Sequence, residues 1–377
     1  MASRKKTRFH TSENYFDYSL LFIVLFLLGF GLVMIYSTSS YESGTAYLKQ
    51  QAFAVVLGLI AMTVVARVDY HFWEKFAIPA YIVSCVLILL LLTPLGMTRN
   101  GATRWLNFGI SLQPAEVAKL GMIVFLASFS CKLGKSIRTF KAFMIIMALA
   151  AVVAGLIYVI SKNLSSAIIV MGIAIVMVFV SSPDYKKFVL MALGVLAAAA
   201  VIVLYIKNQD TAGTFRGERI LAWLNPEQYA DGKGFQTLQA LYAIGSGGLF
   251  GKGLGQSMQK LGFIPEAQND MIFSVICEEL GLFGAIAVLL LFALLIWRCM
   301  IIANNAKDQF GAMLVVGVMG HLAIQVILNV AVVTNTIPNT GISLPFISYG
   351  GSSVMFLLIE IGLVLSVARN IELKELV

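Results

Sequence analysis

Long apolar segments dominate this sequence, and each is long enough to cross the roughly 30 Å hydrocarbon core of a bilayer as a helix. They are continuously apolar and lack the alternation of a lipid-facing β-strand, which favours helices over a barrel. The segments cover residues 18–38, 50–66, 76–93, 115–131, 142–160, 164–180, 187–206, 271–297, 311–333 and 350–368. The pattern therefore predicts an all-α integral membrane protein with about ten transmembrane helices.

The polar positions divide the chain into one membrane domain and two short tails. Residues 1–17 are predicted to form the N-terminal tail, 18–368 the ten-helix membrane domain, and 369–377 the C-terminal tail. A large outer loop, residues 207–270, separates the seventh and eighth spans, and residues 235–244 within it are predicted to form a short helix. Loops this long without a helix of their own are unusual, so we expect an ordered loop.

Composition and charge agree with a membrane protein. Hydrophobic residues make up 59% of the 377 residues and charged residues 12%, against roughly 25% charged in a soluble domain. The net charge of +8 could indicate a nucleic-acid partner, but most of the 27 basic residues fall on one side of the predicted bilayer. By the positive-inside rule that side is the cytoplasm, so we expect both termini there and no nucleic-acid partner.

Several familiar kinds of site are missing from the sequence. The four cysteines and three histidines form no cluster with metal-ligand spacing, so no metal-binding residues are predicted. Gly251-Lys-Gly-Leu-Gly255 resembles a phosphate-binding loop, but its lysine is followed by glycine instead of serine or threonine. No Gly-x-Ser-x-Gly elbow is present either, which argues against a serine hydrolase.

The candidate chemistry lies in residues 234–281, a glycine-rich stretch with acidic residues. Asp270 stands where this stretch enters the eighth predicted span. A carboxylate at such a position is costly to bury, so it needs a partner, water or a function. It could accept a proton from a hydroxyl nucleophile, or it could cap the N-terminus of the eighth helix, and the pattern leaves both interpretations open.

Basic and aromatic residues of the outer loops accompany this carboxylate. The predicted topology places Arg104 and Trp105 on the same side of the membrane as Asp270. Arg216 and Arg219 of the large loop could supply two guanidinium groups for an anion, so that a phosphate leaving group is neutralised near the carboxylate.

Two further polar sets lie inside predicted spans. Glu116 and Lys119 are three residues apart and meet on one helix face, where they form either an ion pair that cancels two buried charges or part of a substrate cavity. His321, Gln325 and Asn329 form a stripe that indicates hydrogen bonds between helices, with a proton path as the alternative.

Several blocks of the chain, in order, resemble the SEDS family of cell-wall polymerases, which includes FtsW, RodA and SpoVE. The sequence of residues 253–260 is most similar to the FtsW/SpoVE branch. The blocks are Gly101-Ala-Thr-Arg104-Trp105-Leu, Gln113-Pro-Ala-Glu116-Val-Ala-Lys119-Leu, Gly248-Leu-Phe-Gly-Lys-Gly-Leu-Gly255, Pro265-Glu266 with Asn269-Asp270, Glu278-Glu279-Leu-Gly281, and Ser348-Tyr-Gly-Gly-Ser-Ser.

The resemblance implies a peptidoglycan glycosyltransferase that polymerises lipid II, an undecaprenyl-pyrophosphate-linked disaccharide, at the outer face of the bacterial cytoplasmic membrane. Asp270 matches the essential aspartate of the family, which is proposed to activate the acceptor hydroxyl. The family's other site residues fall on Arg104, Trp105, Glu116, Lys119, Arg216, Arg219, Glu266 and Ser348.

The same resemblance implies a divalent cation, Mg²⁺ or Mn²⁺, as a cofactor of the pyrophosphate. It also implies a class B penicillin-binding protein as partner, together with division or elongation proteins. Two alternatives stay open, a lipid II flippase and a scaffold that recruits the transpeptidase. A flippase needs alternating access, usually built from repeated halves, and the sequence shows no convincing internal repeat.

Overall fold

The computed structural model describes residues 16–99, 101–109, 111–182, 185–208, 215–230, 232 and 234–371. Its first half contains α1 (Tyr18–Ser43), α2 (Ala46–Arg67), α3 (His71–Glu74), α4 (Ala77–Leu89), α5 (Pro114–Leu133), α6 (Phe140–Ile160), α7 (Leu164–Ser181) and α8 (Tyr185–Asn208). Its second half contains α9 (Phe215–Leu224), α10 (Phe235–Gly247), α11 (Ile272–Asn304), α12 (Gln309–Val333) and α13 (Gly351–Arg369).

These helices confirm an all-α membrane protein. Within the described residues, eight helices are long and apolar enough to cross a membrane, namely α1, α2, α5, α6, α7, α11, α12 and α13. The other two predicted spans correspond to α4, a shorter apolar helix, and to α8. The count of ten spans stays a prediction, as do the boundaries of the tails and of the large loop. The short helix predicted at 235–244 is confirmed as α10.

The centre of the bundle is formed by α5, α12 and α13, which are the most buried of the eight helices. Helix α13 packs along α2, and two glycines mark that crossing. A Cβ at Gly58 would lie 2.5 Å from the Leu358 side chain, and a Cβ at Gly362 would lie 2.8 Å from the Met62 carbonyl oxygen. Small residues therefore let the two backbones approach closely, which is how helices associate tightly in a bilayer.

A small antiparallel sheet lies between α4 and α5 in the chain, and no pattern in the sequence predicts it. Its strands are β1 (Gly96–Arg99), β2 (Ala102–Asn107) and β3 (Ser111–Leu112), in the order β1-β2-β3. The strands are too short to show a clear alternation of polar and apolar residues. The pairing shifts from Trp105 opposite Met97 to Thr103 opposite Thr98, so Arg104 is skipped in the ladder between β1 and β2.

Helix α11 breaks one-third of the way along, at Gly281, where φ is 68° and ψ is −167°. The break frees the carbonyls of Glu278 and Glu279, which accept hydrogen bonds from the backbone N–H groups of Lys252 and Gly253, each at 2.9 Å. The glycine-rich stretch therefore completes the hydrogen bonding of a broken span. This is a general way to keep irregular backbone at membrane depth.

We expect Gly281→Ala to lower the free energy of unfolding by about 1–3 kcal/mol, because only glycine adopts this backbone conformation without strain. A Cβ there would also lie 2.3 Å from the backbone nitrogen of Gly251. Thermal unfolding in detergent measures the loss. The matched control is Gly29→Ala, where an added Cβ meets nothing within 4 Å, and equal melting temperatures for the two variants would contradict the prediction.

Candidate active site

Asp270 lies in the segment that leads into α11, and two other segments hold that segment in place. The Asn329 side chain on α12 donates hydrogen bonds to the backbone carbonyls of Asp270, at 2.9 Å, and of Ile342, at 2.6 Å. The backbone N–H of Tyr349 donates to the Gln268 carbonyl at 2.9 Å. Asn329 is fully buried, so it joins the Asp270 segment to the last outer loop from inside the bundle.

The interpretation of Asp270 as a helix cap is wrong. Helix α11 begins at Ile272 with Met271 in the N-cap position, and no side chain caps that end. The Asp270 carboxylate faces the last outer loop instead, because a Cβ added to Gly341 would lie 3.5 Å from its Oδ2. The Asp270 carboxylate therefore does not cap α11.

Burial raises the pKa of Asp270 from its ordinary value near 3.8 to about 6. The negative charge of Glu266 raises the pKa further, and the positive charge of Arg219 acts in the opposite direction. The side chain keeps partial contact with solvent. A carboxylate with a pKa near 6 is ionised at neutral pH and is a much stronger base than an exposed aspartate, as suits a general base.

Two arginines from separate elements accompany this carboxylate. Arg219 lies within electrostatic range of Asp270, and Arg104 lies within electrostatic range of Arg219. Partial burial lowers the pKa of Arg104, and Arg219 contributes to the lowering. Burial also lowers the pKa of Arg219, while Asp270 raises it. Strand β2, helix α9 and the segment before α11 therefore bring Arg104, Arg219 and Asp270 into one electrostatic group.

Backbone carbonyls orient both guanidinium groups. Arg104 donates from Nε to the Ser161 carbonyl at 3.4 Å and from a terminal nitrogen to the Lys162 carbonyl at 3.3 Å. Arg219 donates to the Asn339 carbonyl at 3.5 Å. Arg216 is a residue of α9 whose side chain lies outside the described part of the structure.

The Glu116–Lys119 pair lies inside the bundle. Their side chains are joined by a salt bridge of 2.8 Å on α5 and are 7% and 2% exposed. Ser353, in the first turn of α13, donates to a Glu116 carboxylate oxygen at 3.3 Å. The structure therefore contains the predicted ion pair, and the pair also links two of the central helices, α5 and α13.

The remaining predicted site residues occupy different surroundings. Ser348 is buried, and its hydroxyl accepts the Leu344 N–H at 2.7 Å, so it stabilises a turn of the last outer loop. Trp105 lies in β2 opposite Met97. Glu266 adopts a positive φ of 50°, accepts a hydrogen bond from Asn269 at 2.8 Å and lies close enough to Asp270 to affect its pKa.

The other acidic residues of the glycine-rich stretch hold the structure together. Glu278 and Glu279 are fully buried, with salt bridges of 2.7 Å to Lys252 and Lys260 respectively. Ser37 of α1 also donates to Glu279, at 2.7 Å. Because both carboxylates are already paired and Glu266 is exposed, Asp270 is the acidic residue of this stretch that is best placed for proton transfer.

The stripe on α12 makes the contacts that the sequence indicates. His321 pairs with Glu360 of α13 at 2.8 Å, and Gln325 donates to the Ser343 carbonyl at 3.0 Å. Together with the bonds of Asn329, these contacts tie α12 to α13 and to the two segments around Asp270. The sequence pattern identifies the stripe but gives no indication that one member positions the Asp270 segment.

A cation at this site would need ligands from the residues around Asp270. Within the described ranges, no group of three or more His, Cys, Asp or Glu side chains could hold a metal ion. Mg²⁺ is often bound through only one or two carboxylates together with substrate phosphates. A cation at this site would therefore need most of its ligands from substrate and water.

Comparisons with known proteins identify relatives over nearly the whole chain. A family described as "Cell cycle protein", comprising FtsW, RodA and SpoVE, matches residues 18–373. "Stage V sporulation protein E" of Bacillus subtilis (strain 168) is 40% identical over 361 residues, which are 94% of this chain and 97% of that protein. "Probable peptidoglycan glycosyltransferase FtsW" of Trichlorobacter lovleyi is 36% identical over 370 residues, 96% of this chain and 95% of that protein.

Solved structures share the fold. A chain from "Structural coordination of polymerization and crosslinking by a peptidoglycan synthase complex" superposes with a TM-score of 0.79 and 29% identity, covering 94% of this chain and 98% of that one. The RodA protein of Thermus thermophilus superposes with a TM-score of 0.69 and 27% identity, covering 96% of this chain and 98% of that one. Matches of this extent leave no part of the membrane domain unaccounted for, and the chain belongs to the FtsW/RodA/SpoVE family of cell cycle proteins.

Proposed function

We propose that this protein is a peptidoglycan glycosyltransferase that polymerises lipid II at the outer face of the bacterial cytoplasmic membrane. The observation that carries the proposal is the group formed by Asp270, Arg219 and Arg104, in which a partly desolvated carboxylate lies near the Arg219 guanidinium, and Arg219 in turn lies near Arg104. Family membership supports the same conclusion, because relatives over nearly the whole chain are named peptidoglycan glycosyltransferases.

In the proposed reaction, the 4-hydroxyl oxygen of the acceptor sugar attacks the anomeric carbon of the donor sugar. Asp270 accepts the hydroxyl proton as the new carbon–oxygen bond forms. The bond between the anomeric carbon and the phosphate oxygen breaks, and the lipid pyrophosphate leaves with that electron pair. Arg219 and Arg104 stabilise the negative charge that develops on the pyrophosphate, which is the usual contribution of fixed cations to phosphate departure.

The surroundings of the reaction follow from the family and the fold. We expect a class B penicillin-binding protein as partner, along with division or elongation proteins, and both termini in the cytoplasm. One solved relative belongs to a peptidoglycan synthase complex, which supports the expectation of a partner enzyme. Mg²⁺ or Mn²⁺ is expected at the substrate's pyrophosphate.

The pKa of Asp270 predicts the pH dependence of the reaction. Only the ionised carboxylate accepts a proton, and its pKa is raised to about 6. We therefore expect kcat/KM to fall about tenfold from pH 7 to pH 5, because the ionised fraction falls by that factor. Initial rates of polymer formation across this range test it. A flat profile, with the protein still folded at pH 5, would contradict the assignment of Asp270 as the base.

The test of the proposed function compares two activities of the purified protein with its cognate transpeptidase. Labelled lipid II is supplied either in detergent, where glycan strands are resolved by length, or in one leaflet of liposomes, where transfer to the other leaflet is followed. Long strands without rapid transfer support the polymerase. Transfer without strands identifies a flippase, and neither activity alongside stable binding of the transpeptidase identifies a scaffold.

A further inference from the structure

A cavity of about 240 Å³ lies beside the segment that carries Asp270. Its walls come from α9, from the start of α10, from the turn that begins at Pro265 and from the last outer loop. The side chains that matter for recognition are those of Arg219, Trp223, Phe235, Gln236, Thr237 and Asn339. A cavity of this size has room for several waters, or for one sugar ring.

Hydrogen bonds fix the polar walls. Asn339 donates from Nδ2 to the Gln236 Oε1 at 2.9 Å, and Gln236 donates from Nε2 to the Pro265 carbonyl at 3.3 Å. Each amide nitrogen carries two hydrogens, and each of these bonds uses one. The second N–H of Gln236 and of Asn339 therefore remains available to a ligand, on side chains whose positions are already set.

A reciprocal pair of hydrogen bonds fixes the aromatic wall. The Trp223 indole N–H donates to the Asn335 carbonyl at 3.0 Å, and the Asn335 amide donates to the Trp223 carbonyl at 3.3 Å. The indole N–H is consumed by this contact, so the ring offers its apolar surface. Phe235 contributes a second aromatic side chain to the same cavity.

This combination suits a sugar better than a lipid tail or a bare phosphate. A sugar ring presents an apolar C–H face, which packs on aromatic side chains, and a rim of hydroxyl and acetamido groups, which bind amides and hydroxyls. A lipid tail would leave the amide N–H groups without partners, at a cost in free energy. A phosphate would use Arg219 but not the aromatic rings.

We propose that this cavity is a subsite for one N-acetylhexosamine ring, adjacent to the reacting groups. The inference rests on the proposed function and specifies where one sugar ring of the substrate binds. The cavity and the reaction centre share Arg219, and Pro265 begins the segment that ends at Asp270. The ring belongs either to lipid II itself or to the growing strand, and the two sources predict different kinetic effects.

The main experiment measures lipid II kinetics and strand length for Gln236→Leu, which removes an amide donor from the cavity. If the ring belongs to lipid II, we expect KM to rise about fivefold with little change in kcat, as loss of a hydrogen bond worth about 1 kcal/mol implies. If the ring belongs to the growing strand, strands shorten while KM stays constant. Unchanged KM and strand length would overturn the proposal.

Two further variants separate binding from folding. Gln228→Leu makes the same substitution on the exposed turn after α9, outside the cavity, and should match the wild type. Thr237→Val keeps the side-chain shape and removes only a hydroxyl from the wall, so it repeats the test if Gln236→Leu fails to fold. Its expected result is a smaller change in the same direction, and a folded Thr237→Val with wild-type kinetics would then count against the subsite.

A direct binding measurement does not depend on polymerase activity. Saturation-transfer NMR with chitotriose, a soluble trimer of N-acetylglucosamine, should show transfer to the acetyl methyl groups with the wild type and Gln228→Leu. Transfer should be lost or strongly reduced with Gln236→Leu. Binding without polymerisation would retain the subsite and reject the proposed function, whereas polymerisation with equal transfer to all variants would retain the function and reject the subsite.

Discussion

Asp270→Asn is expected to lower kcat for strand formation by about 10²–10⁴-fold, the range that a positioned general base contributes. Asparagine has nearly the same shape as aspartate but cannot accept the proton of the attacking hydroxyl. The backbone carbonyl of residue 270, which Asn329 binds, is unaffected by the change. The variant should therefore fold, bind its transpeptidase and still fail to make polymer.

The measurement is initial-rate kinetics with labelled lipid II, with co-purification of the partner as the test of folding. The matched control is Asp69→Asn, an exposed aspartate that accepts a hydrogen bond from the backbone N–H of His71. Its amide oxygen can still accept that bond, so we expect near wild-type rates. Near wild-type strand formation by a folded Asp270→Asn would remove this residue from the mechanism and move the search to other groups.

Lys119→Met is expected to lower the free energy of unfolding by about 3–5 kcal/mol, because it leaves the Glu116 carboxylate buried without its cation. Both side chains are almost completely buried, and their atoms are 2.8 Å apart. The loss is measured as a lower melting temperature of the purified complex. A single variant cannot tell a structural role from a role in substrate binding, because unfolding also abolishes activity.

The double variant Glu116→Gln with Lys119→Met separates these roles. It removes both charges together, so the desolvation cost of an isolated carboxylate disappears and most of the stability should return. If the pair acts only within the bundle, activity returns along with stability. A stable double variant that makes no polymer would assign the pair to the substrate cavity.

Membrane class and the candidate base could be predicted from the sequence alone. Apolar segments long enough to span a bilayer, with few charges, have no other stable placement, so composition and length sufficed for the helical fold. Asp270 stood out because a carboxylate at the mouth of a span is costly without a function or partner. The ordered blocks of residues gave the family, which the comparisons confirm.

The sequence could not predict which residues meet across the outer face. Arg104, Arg219 and Asp270 are separated by more than fifty residues at each step, and only the packing of β2, α9 and the segment before α11 brings them together. Periodicity describes neighbours along one element, whereas the distances between elements depend on how the whole bundle packs. The helix-cap interpretation failed because α11 begins at Ile272, and a sequence pattern fixes a helix end only to within a few residues.

The glycine-rich stretch shows most clearly what the sequence predicts and what only the tertiary structure decides. Its composition indicated an irregular segment, but not that its N–H groups satisfy the carbonyls released by the break at Gly281. Nor did it show that Glu278 and Glu279 are paired with lysines of that stretch, leaving Asp270 for chemistry. The sequence determined which groups need partners, because burial cost depends on residue type. The tertiary structure decided which partners they find, because that depends on distances between segments remote in the chain.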